Sequence, residues 1–445
     1  MRFRSFMEIL EHFAALSPDS PALIYEEDGR KKAESYAELA ADVRKRSAVL
    51  KPAKGRLAAI LADGSRECVV EIFAAMTAGI PAALLDANAP DETLLEQLKA
   101  CDAGLVWGDE DLCEELGFTA TGKTSAKPGE ILFFTSGTTH RAKAVVLTEQ
   151  SLCNSAYNGS ALLPLQPSDT LLCMLPLSHV FGFVCGLLWG LSCGAAVALG
   201  RGARHYADDT VFFDPTAISA VPLLLGFLLQ HKLLNPSLKL VLVGAGSCPL
   251  PLLQAAAAMG VRVSFGYGLT ETSSGVALSL GDDPFAMTVC PDDRIGIAED
   301  GEILIDAPTC VMQGYYKDEE ATAEALAGGW LHTGDLGQLD ENGLLRITGR
   351  KKDMLVFSDG TKLFLPEAEA QLSALLPGAD LALAQEEDRV VLHVFAQGQL
   401  TEGEIEKAVA PWQRTRERGQ QIARIDLHSA PLPRTATGKV KRWEL

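Results

Sequence analysis

The sequence predicts an α/β protein: a large, multilayered α/β N-terminal domain with parallel sheets plus a β-rich subdomain, then a small, mobile α+β C-terminal domain. Three observations predict it. Short apolar runs alternate with segments of helical period as far as about Asp282, and the texture then changes to short β-like stretches and turns. The charged tripeptide Arg350-Lys-Lys352 finally precedes a last segment with its own helix and strand order. Strand–helix–strand alternation means parallel sheets covered by helices, and 445 residues are enough for more than one core.

In chain order, helix 6–16, strand 22–25, helix 36–50, strand 57–61, helix 67–78 and strand 81–85 set the rhythm. It returns with strands 131–134, 170–175 and 239–243, the Ala-rich helix 252–259 and strand 261–265. The β-like part follows with 301–306, 336–340, an Asp340-Glu-Asn-Gly343 turn and 344–348. The last segment reads helix 367–375, strands 380–384 and 390–395, helix 402–409 and strand 421–427.

Composition narrows the function. There are 39 Lys and Arg against 58 Asp and Glu, a formal charge of -19, which argues against nucleic acid or an anionic membrane as partner. The few cations are bunched at Arg141 and Lys143, at Arg350, Lys351 and Lys352, and at Arg434, Lys439, Lys441 and Arg442. The ten cysteines include no Cys-x-x-Cys pair and the histidines no pair at metal-ligand spacing, so neither a disulfide framework nor a zinc site is expected. Charges interrupt any apolar core of an N-terminal signal peptide, and with reduced thiols this leads to the expectation of a cytoplasmic protein.

Two segments mimic other functions. Gly117-Phe-Thr-Ala-Thr-Gly122-Lys123-Thr124 fits the P-loop pattern of an NTPase, but acidic helix-like sequence precedes it and Pro128-Gly129 follows. A phosphate-binding P-loop needs a buried strand before and a helix after, so these residues are expected to form a surface linker. Residues 180–199 carry no charge, and Gly182, Gly186, Gly190 and Gly194 recur every four residues. In this mixed chain that pattern predicts a buried helix whose glycine edge lies close to a sheet, not a membrane span.

At 131–145 an apolar strand enters a loop rich in hydroxyls and carrying two cations, followed by more β-like sequence. Such a loop offers a polyphosphate N–H donors, hydroxyls and charge; a solvated Ser/Thr hairpin is the bland alternative. The loop has companions. Thr135-Ser-Gly-Thr-Thr-His-Arg-Ala-Lys143, Pro176-Leu-Ser-His-Val-Phe-Gly182, Gly266-Tyr-Gly-Leu-Thr-Glu271, Trp330-Leu-His-Thr-Gly-Asp335, Gly349-Arg-Lys-Lys-Asp353 and Pro433-Arg-Thr-Ala-Thr-Gly-Lys439 resemble, in order, the motifs of the adenylate-forming (AMP-binding) superfamily. Its acyl-CoA synthetase branch is the most similar, and the resemblance runs from Ser35 to the last residues.

That resemblance implies the following roles. Thr135, Ser136, Gly137, Thr138 and Thr139 would hold the β- and γ-phosphates of ATP with Lys143 supplying charge. Gly266, Tyr267 and Gly268 would form the adenine site, Thr270 would contact the α-phosphate, and Glu271 would hold Mg²⁺, which prefers carboxylate and phosphate oxygens. Asp335 would accept the ribose hydroxyls and Arg350 would bind ribose or phosphate oxygen. Lys439 would bring the α-phosphate and the substrate carboxylate together during adenylation. The large domain would span 1–349 and the small one 350–445, turning about a hinge at Lys352 so that Gly360 leaves room for a pantetheine arm.

Two positions depart from the usual loop: His140 stands where Gly is common, and Ala144 follows the lysine in place of Gly, which predicts weakened ATP use. No carboxylate lies between Met174 and Gly200 to pair with a substrate ammonium, so an α-amino acid is not expected. His179 and Phe181 would line the entrance of an acyl pocket, with Gly244, Ala245 and Gly246 as its floor; a structural histidine is the alternative for His179. Phe212, Phe213, residues 223–229 and Phe265 would make the pocket apolar, or be plain core.

The expectation is an AMP-forming ligase of fatty or aryl acids with ATP, Mg²⁺ and coenzyme A as partners. Loading of a carrier-protein thiol is the alternative, and a non-catalytic nucleotide-binding homologue the remote one.

Overall fold

A computed structural model describes residues 1–50, 55–109, 111–135, 143–358, 361–396, 400–434 and 440–445. The described chain separates into two compact units, Met1–Thr333 with Gln338–Arg346 and Gly334–Gly337 with Ile347–Leu445.

In the first unit, strands Pro21–Glu27, Ala196–Leu199, Thr170–Cys173, Ala217–Ala220, Leu240–Val243 and the first half of Arg262–Leu269 run parallel, side by side. A second sheet places Ala103–Trp107, Leu57–Leu61, Ala82–Leu85 and Glu130–Thr135 in parallel, then adds Lys143–Thr148 antiparallel. Their continuous apolar sequences fit strands covered on both faces. Phe183 joins the core across elements, its ring 5.5 Å from Phe6 and 5.7 Å from Phe133. This is the multilayered α/β architecture that the alternation predicted.

Strand Arg262–Leu269 is longer than the apolar run 261–265 suggested. Its second half leaves the parallel sheet and pairs antiparallel with Ser274–Ser279, so the Gly266-Tyr-Gly268 motif is itself strand. Glycines weaken strands, yet here close packing requires one: a Cβ on Gly268 would lie 1.8 Å from the Ser274 carbonyl oxygen. The β-rich part continues through Met287–Val289, Arg294–Ile297 and Glu302–Asp306.

The uncharged segment 180–199 is buried, as expected, but its first part, Gly182–Leu188, is a π-helix before the α-turn Trp189–Ser192 and strand Ala196–Leu199. The glycine edge is tight: a Cβ on Gly186 would meet Cys173 Sγ at 2.9 Å, and one on Gly190 would meet Val197 Cγ2 at 2.6 Å. Among the described residues no helix is long and apolar enough to cross a membrane.

Residues 117–124 form no helix. Lys123 is exposed, and Thr124 is held at 3.1 Å by the Tyr316 hydroxyl, which also accepts from Ser125 N–H at 3.0 Å and donates to Asp102 at 2.9 Å. The P-loop match is therefore a surface linker. The cysteines are free thiols, most of them buried.

The second unit is α+β. Strands Ala379–Glu386 and Arg389–Ala396 are antiparallel, Ile422–Leu427 joins parallel, and helices Leu365–Leu375 and Glu402–Gln413 pack Leu372, Ile405 and Trp412 against Leu383 and Leu392.

One buried group in the first unit sets a pH dependence. Asp293 is 7 % exposed and neither carboxylate oxygen has a hydrogen-bond partner among the described residues. Burial first, and Asp292 and Asp306 after it, push its pKa from 3.8 up to about 7. Between those values the folded chain keeps the proton that the unfolded chain gives up, so this group's contribution to stability falls as pH rises through the window. Asp293→Asn is expected to raise the melting temperature at pH 8 and to leave it nearly unchanged at pH 4; a gain of the same size at both would contradict the assignment.

Candidate active site

The first unit gathers predicted residues at the carboxyl edge of its parallel sheet, where strands end and loops converge. Strand Thr170–Cys173 leads to His179, Leu240–Val243 to Gly244, Ala245 and Gly246, and Arg262–Leu269 carries Gly266, Tyr267 and Gly268. These loops touch. A Cβ on Gly244 would lie 3.0 Å from the Phe181 ring and 3.6 Å from the Gly266 carbonyl oxygen. His179 is exposed at this edge, not part of the core. Ala245 takes a left-handed conformation, φ 61°, and it and Gly246 are exposed. Tyr267 is 8 % exposed.

Of the apolar residues expected to be pocket lining or plain core, Leu224, Leu225, Leu228 and Phe265 are buried in the first unit's core. Leu223 is 86 % exposed on helix Pro222–Gln230, and Phe213 is buried core. An apolar cavity instead lies among Gly159, Cys185, Trp189, Leu242, Gly275 and Leu278. It adjoins the adenine motif, because a Cβ on Gly266 would meet Leu278 at 3.1 Å and Leu242 at 3.6 Å. The sequence carries little signal for it, since its walls come from five separated segments with no common period.

Of the residues expected to hold phosphate, Thr135 and Lys143 lie on paired strands. Strands Glu130–Thr135 and Lys143–Thr148 are antiparallel with Thr135 opposite Lys143. Ser136, Gly137, Thr138, Thr139 and His140 lie outside the described residues. Next to Lys143–Thr148, the short strand Gly314–Tyr315 pairs antiparallel, Tyr315 opposite Val145. Lys143 and Val145 share a face, and the Lys143 ammonium sits 4.6 Å above the Tyr315 ring.

Thr270 and Glu271 form a 3₁₀ turn, Thr270–Thr272, pinned by Leu269 N–H donating to Thr272 Oγ1 at 3.0 Å. The Glu271 carbonyl accepts from Met312 N–H at 2.7 Å, and its carboxylate Oε1 accepts from the Tyr315 hydroxyl at 2.8 Å. Tyr315 is the one hydrogen-bond partner of that carboxylate among the described residues, so a second oxygen remains for a hard cation. Burial and the Glu271 charge hold the Tyr315 phenol well above its ordinary pKa, which keeps it a donor. Lys143, Tyr315 and Glu271 are thus brought together, and Tyr315 is a residue that the motifs did not announce.

In the second unit, Asp335 and Arg350 meet. Arg350 Nε lies 2.5 Å from Asp335 Oδ1, and Asp335 is 3 % exposed. Lys352 is exposed in the 3₁₀ turn Lys351–Asp353. Gly360 and Lys439 lie outside the described residues. The segments on either side of 435–439 are anchored: Arg434 bridges Val440, and Lys441 N–H donates to the Pro433 carbonyl at 2.8 Å. Asp380 accepts from Leu432 N–H at 2.9 Å and pairs with the Arg434 guanidinium, while Arg442 pairs with Glu369 at 2.6 Å.

Glu386, His393 and Asp426 converge on the three-stranded sheet. Arg424 already donates to both carboxylates, at 2.8 Å and 2.7 Å, so their charge is met within the protein.

Comparison with known proteins identifies the family. The family profile described as AMP-binding enzyme matches residues 10–316. A 2-succinylbenzoate–CoA ligase of Bacillus velezensis is 29 % identical, over 97 % of this chain and 96 % of its own. The o-succinylbenzoate-CoA synthetase of Bacillus subtilis in complex with its acyl-adenylate intermediate has a TM-score of 0.80 at 26 % identity, covering 98 % of this chain and 97 % of that one. The same synthetase with ATP and a magnesium ion gives 0.79 at 26 % identity, covering 98 % of each chain.

Proposed function

We propose, from the premise that this chain belongs to the AMP-binding enzyme family, that it is an AMP-forming acid–thiol ligase: it condenses a carboxylic acid with Mg·ATP to an acyl-adenylate and passes the acyl group to coenzyme A. The observation that carries this reading is the Lys143, Tyr315 and Glu271 cluster, which sets a cation beside a carboxylate at one end of the phosphate hairpin.

In the first half-reaction a carboxylate oxygen of the acid attacks the α-phosphorus and pyrophosphate leaves. Two anions must approach, so positive charge placed in advance lowers the barrier. We assign this to Lys143, to the hydroxyls and N–H groups of Thr135, Ser136, Gly137, Thr138 and Thr139, and to Lys439. Thr270 contacts the α-phosphate in this reading. Mg²⁺ bound with ATP supplies charge neutralisation of the phosphates, and Glu271 is the carboxylate that would hold it. Tyr267, between Gly266 and Gly268, takes the adenine; Asp335 takes the ribose hydroxyls with Arg350 beside it. In the second half-reaction the thiol sulfur attacks the acyl carbon and AMP leaves. We assign Lys352 as the hinge between the halves, residues 1–349 and 350–445 as the domains that turn about it, and Gly360 as the passage for the pantetheine arm.

For the acid, the substrate for which these relatives are named favours an aryl acid of the 2-succinylbenzoate kind over a fatty acid. We place its carboxylate near His179 and its organic part over Gly244, Ala245 and Gly246, toward the apolar cavity behind Gly266. The test is acid-dependent exchange of labelled pyrophosphate into ATP with aromatic, dicarboxylic and fatty acids, followed by a thiol assay with coenzyme A. Exchange with 2-succinylbenzoate and formation of its coenzyme A thioester is expected. Absence of exchange with every acid, despite ATP binding, would favour a nucleotide-binding protein without catalysis.

A further inference from the structure

The link between Lys143 and Glu271 is a single side chain that no motif reading singled out. Tyr315 presents two different surfaces to two opposite charges. The face of its ring, electron-rich, lies under the Lys143 ammonium at 4.6 Å, and its hydroxyl donates to Glu271 Oε1 at 2.8 Å. Its position is set from the backbone. Gly314 has φ 144°, and a Cβ there would meet Thr322 at 2.7 Å, which lets Thr322 Oγ1 accept the Tyr315 N–H at 2.8 Å. Thr322 is in turn tied to the Asp318 carbonyl at 2.6 Å. The strand pairing of Tyr315 with Val145 then fixes the ring against the face of the strand that carries Lys143.

We propose that Tyr315 is a positioning residue for metal–nucleotide binding: by occupying Oε1 it turns the other oxygen of Glu271 toward the cation, while its ring holds Lys143 at the phosphate hairpin. The proposal rests on the reading of Glu271 as the metal carboxylate. A hydrogen bond to a carboxylate fixes the rotation of the group, and the ring offers the ammonium a partner that does not neutralise it.

The test uses the full chain with Tyr315→Phe, which keeps the ring and loses the hydroxyl, and Tyr315→Leu, which loses both. Binding of Mn²⁺ in the presence of ATP is followed by the loss of the free-ion EPR signal, and pyrophosphate exchange is measured against Mg²⁺ concentration. Tyr315→Phe should weaken Mn²⁺·ATP binding about tenfold, as expected for a hydrogen bond to a charged group, and raise the Mg²⁺ concentration needed for half-maximal exchange by a similar factor. Tyr315→Leu should in addition raise the KM for ATP. Glu271→Gln is the control. If it weakens Mn²⁺·ATP binding and Tyr315→Phe does not, Tyr315 has no positioning role. If Glu271→Gln itself leaves the binding unchanged, the metal reading fails and the proposal falls with it. An equal loss in both half-reactions, with unaltered metal dependence, would mark Tyr315 as merely structural.

Discussion

Lys439→Ala is expected to lower acid-dependent pyrophosphate exchange by about 10²- to 10³-fold while leaving transfer from a supplied acyl-adenylate to coenzyme A close to that of the parent protein. The asymmetry follows from where charge develops. In adenylation two anions meet at the α-phosphorus, and an ammonium placed there offsets their repulsion; in thiol transfer the acid is already a neutral acyl group and the leaving AMP needs no such help at that point. The described residues on either side of 435–439 are anchored: Arg434 bridges Val440, Asp380 fixes Leu432 and Arg434, and Glu369 fixes Arg442. Quenched-flow measurement of acyl-AMP formation and a separate thioester assay would separate the steps. Equal losses in both would remove Lys439 from the specific role assigned to it.

Gly268→Ala carries the second large effect, on stability. The added methyl would lie 1.8 Å from the Ser274 carbonyl oxygen and 2.7 Å from Gly275 Cα. Both are backbone, so no rotamer relieves the clash, and strands Arg262–Leu269 and Ser274–Ser279 must separate. Overpacking of this kind costs about 3 kcal/mol or more, and the adenine motif moves with the strand. Gly246→Ala is the matched control, its nearest neighbours being Pro222 atoms at 3.9 Å. Urea unfolding of both variants should show a lowered midpoint for Gly268→Ala alone; two unshifted midpoints would mean that the strand pair yields easily there.

Much of this was legible in the sequence, and for definite reasons. Residues 131–134 and 240–243 are apolar throughout because both faces are covered, and such runs identify themselves. Asp335 and Arg350 were each readable from their motifs, but not their pairing, which depends on how two strands are staggered. Tyr315 was silent for the same reason: Gly314-Tyr-Tyr316 has no local signature, and its meaning comes from lying opposite Val145. The π-helix at Gly182–Leu188 escaped because glycines every four residues suit an α-helix equally well. Helix Pro222–Gln230 is apolar all round, which suggested pocket lining or plain core; Leu224, Leu225 and Leu228 are core, while Leu223 faces solvent.

The bridge between Arg434 and Val440 has a consequence for chain entropy. Bringing the ends of a segment together carries a closure cost that grows with the logarithm of its length. Here five residues separate paired ends, and the anchors at Asp380 and Glu369 meet that cost when the second unit folds. The described residues on either side of 435–439 are therefore held close together by the second unit's own contacts. Lengthening the segment between the bridged residues is expected to raise the closure cost and so to lower the effective concentration of the lysine proposed to act on ATP.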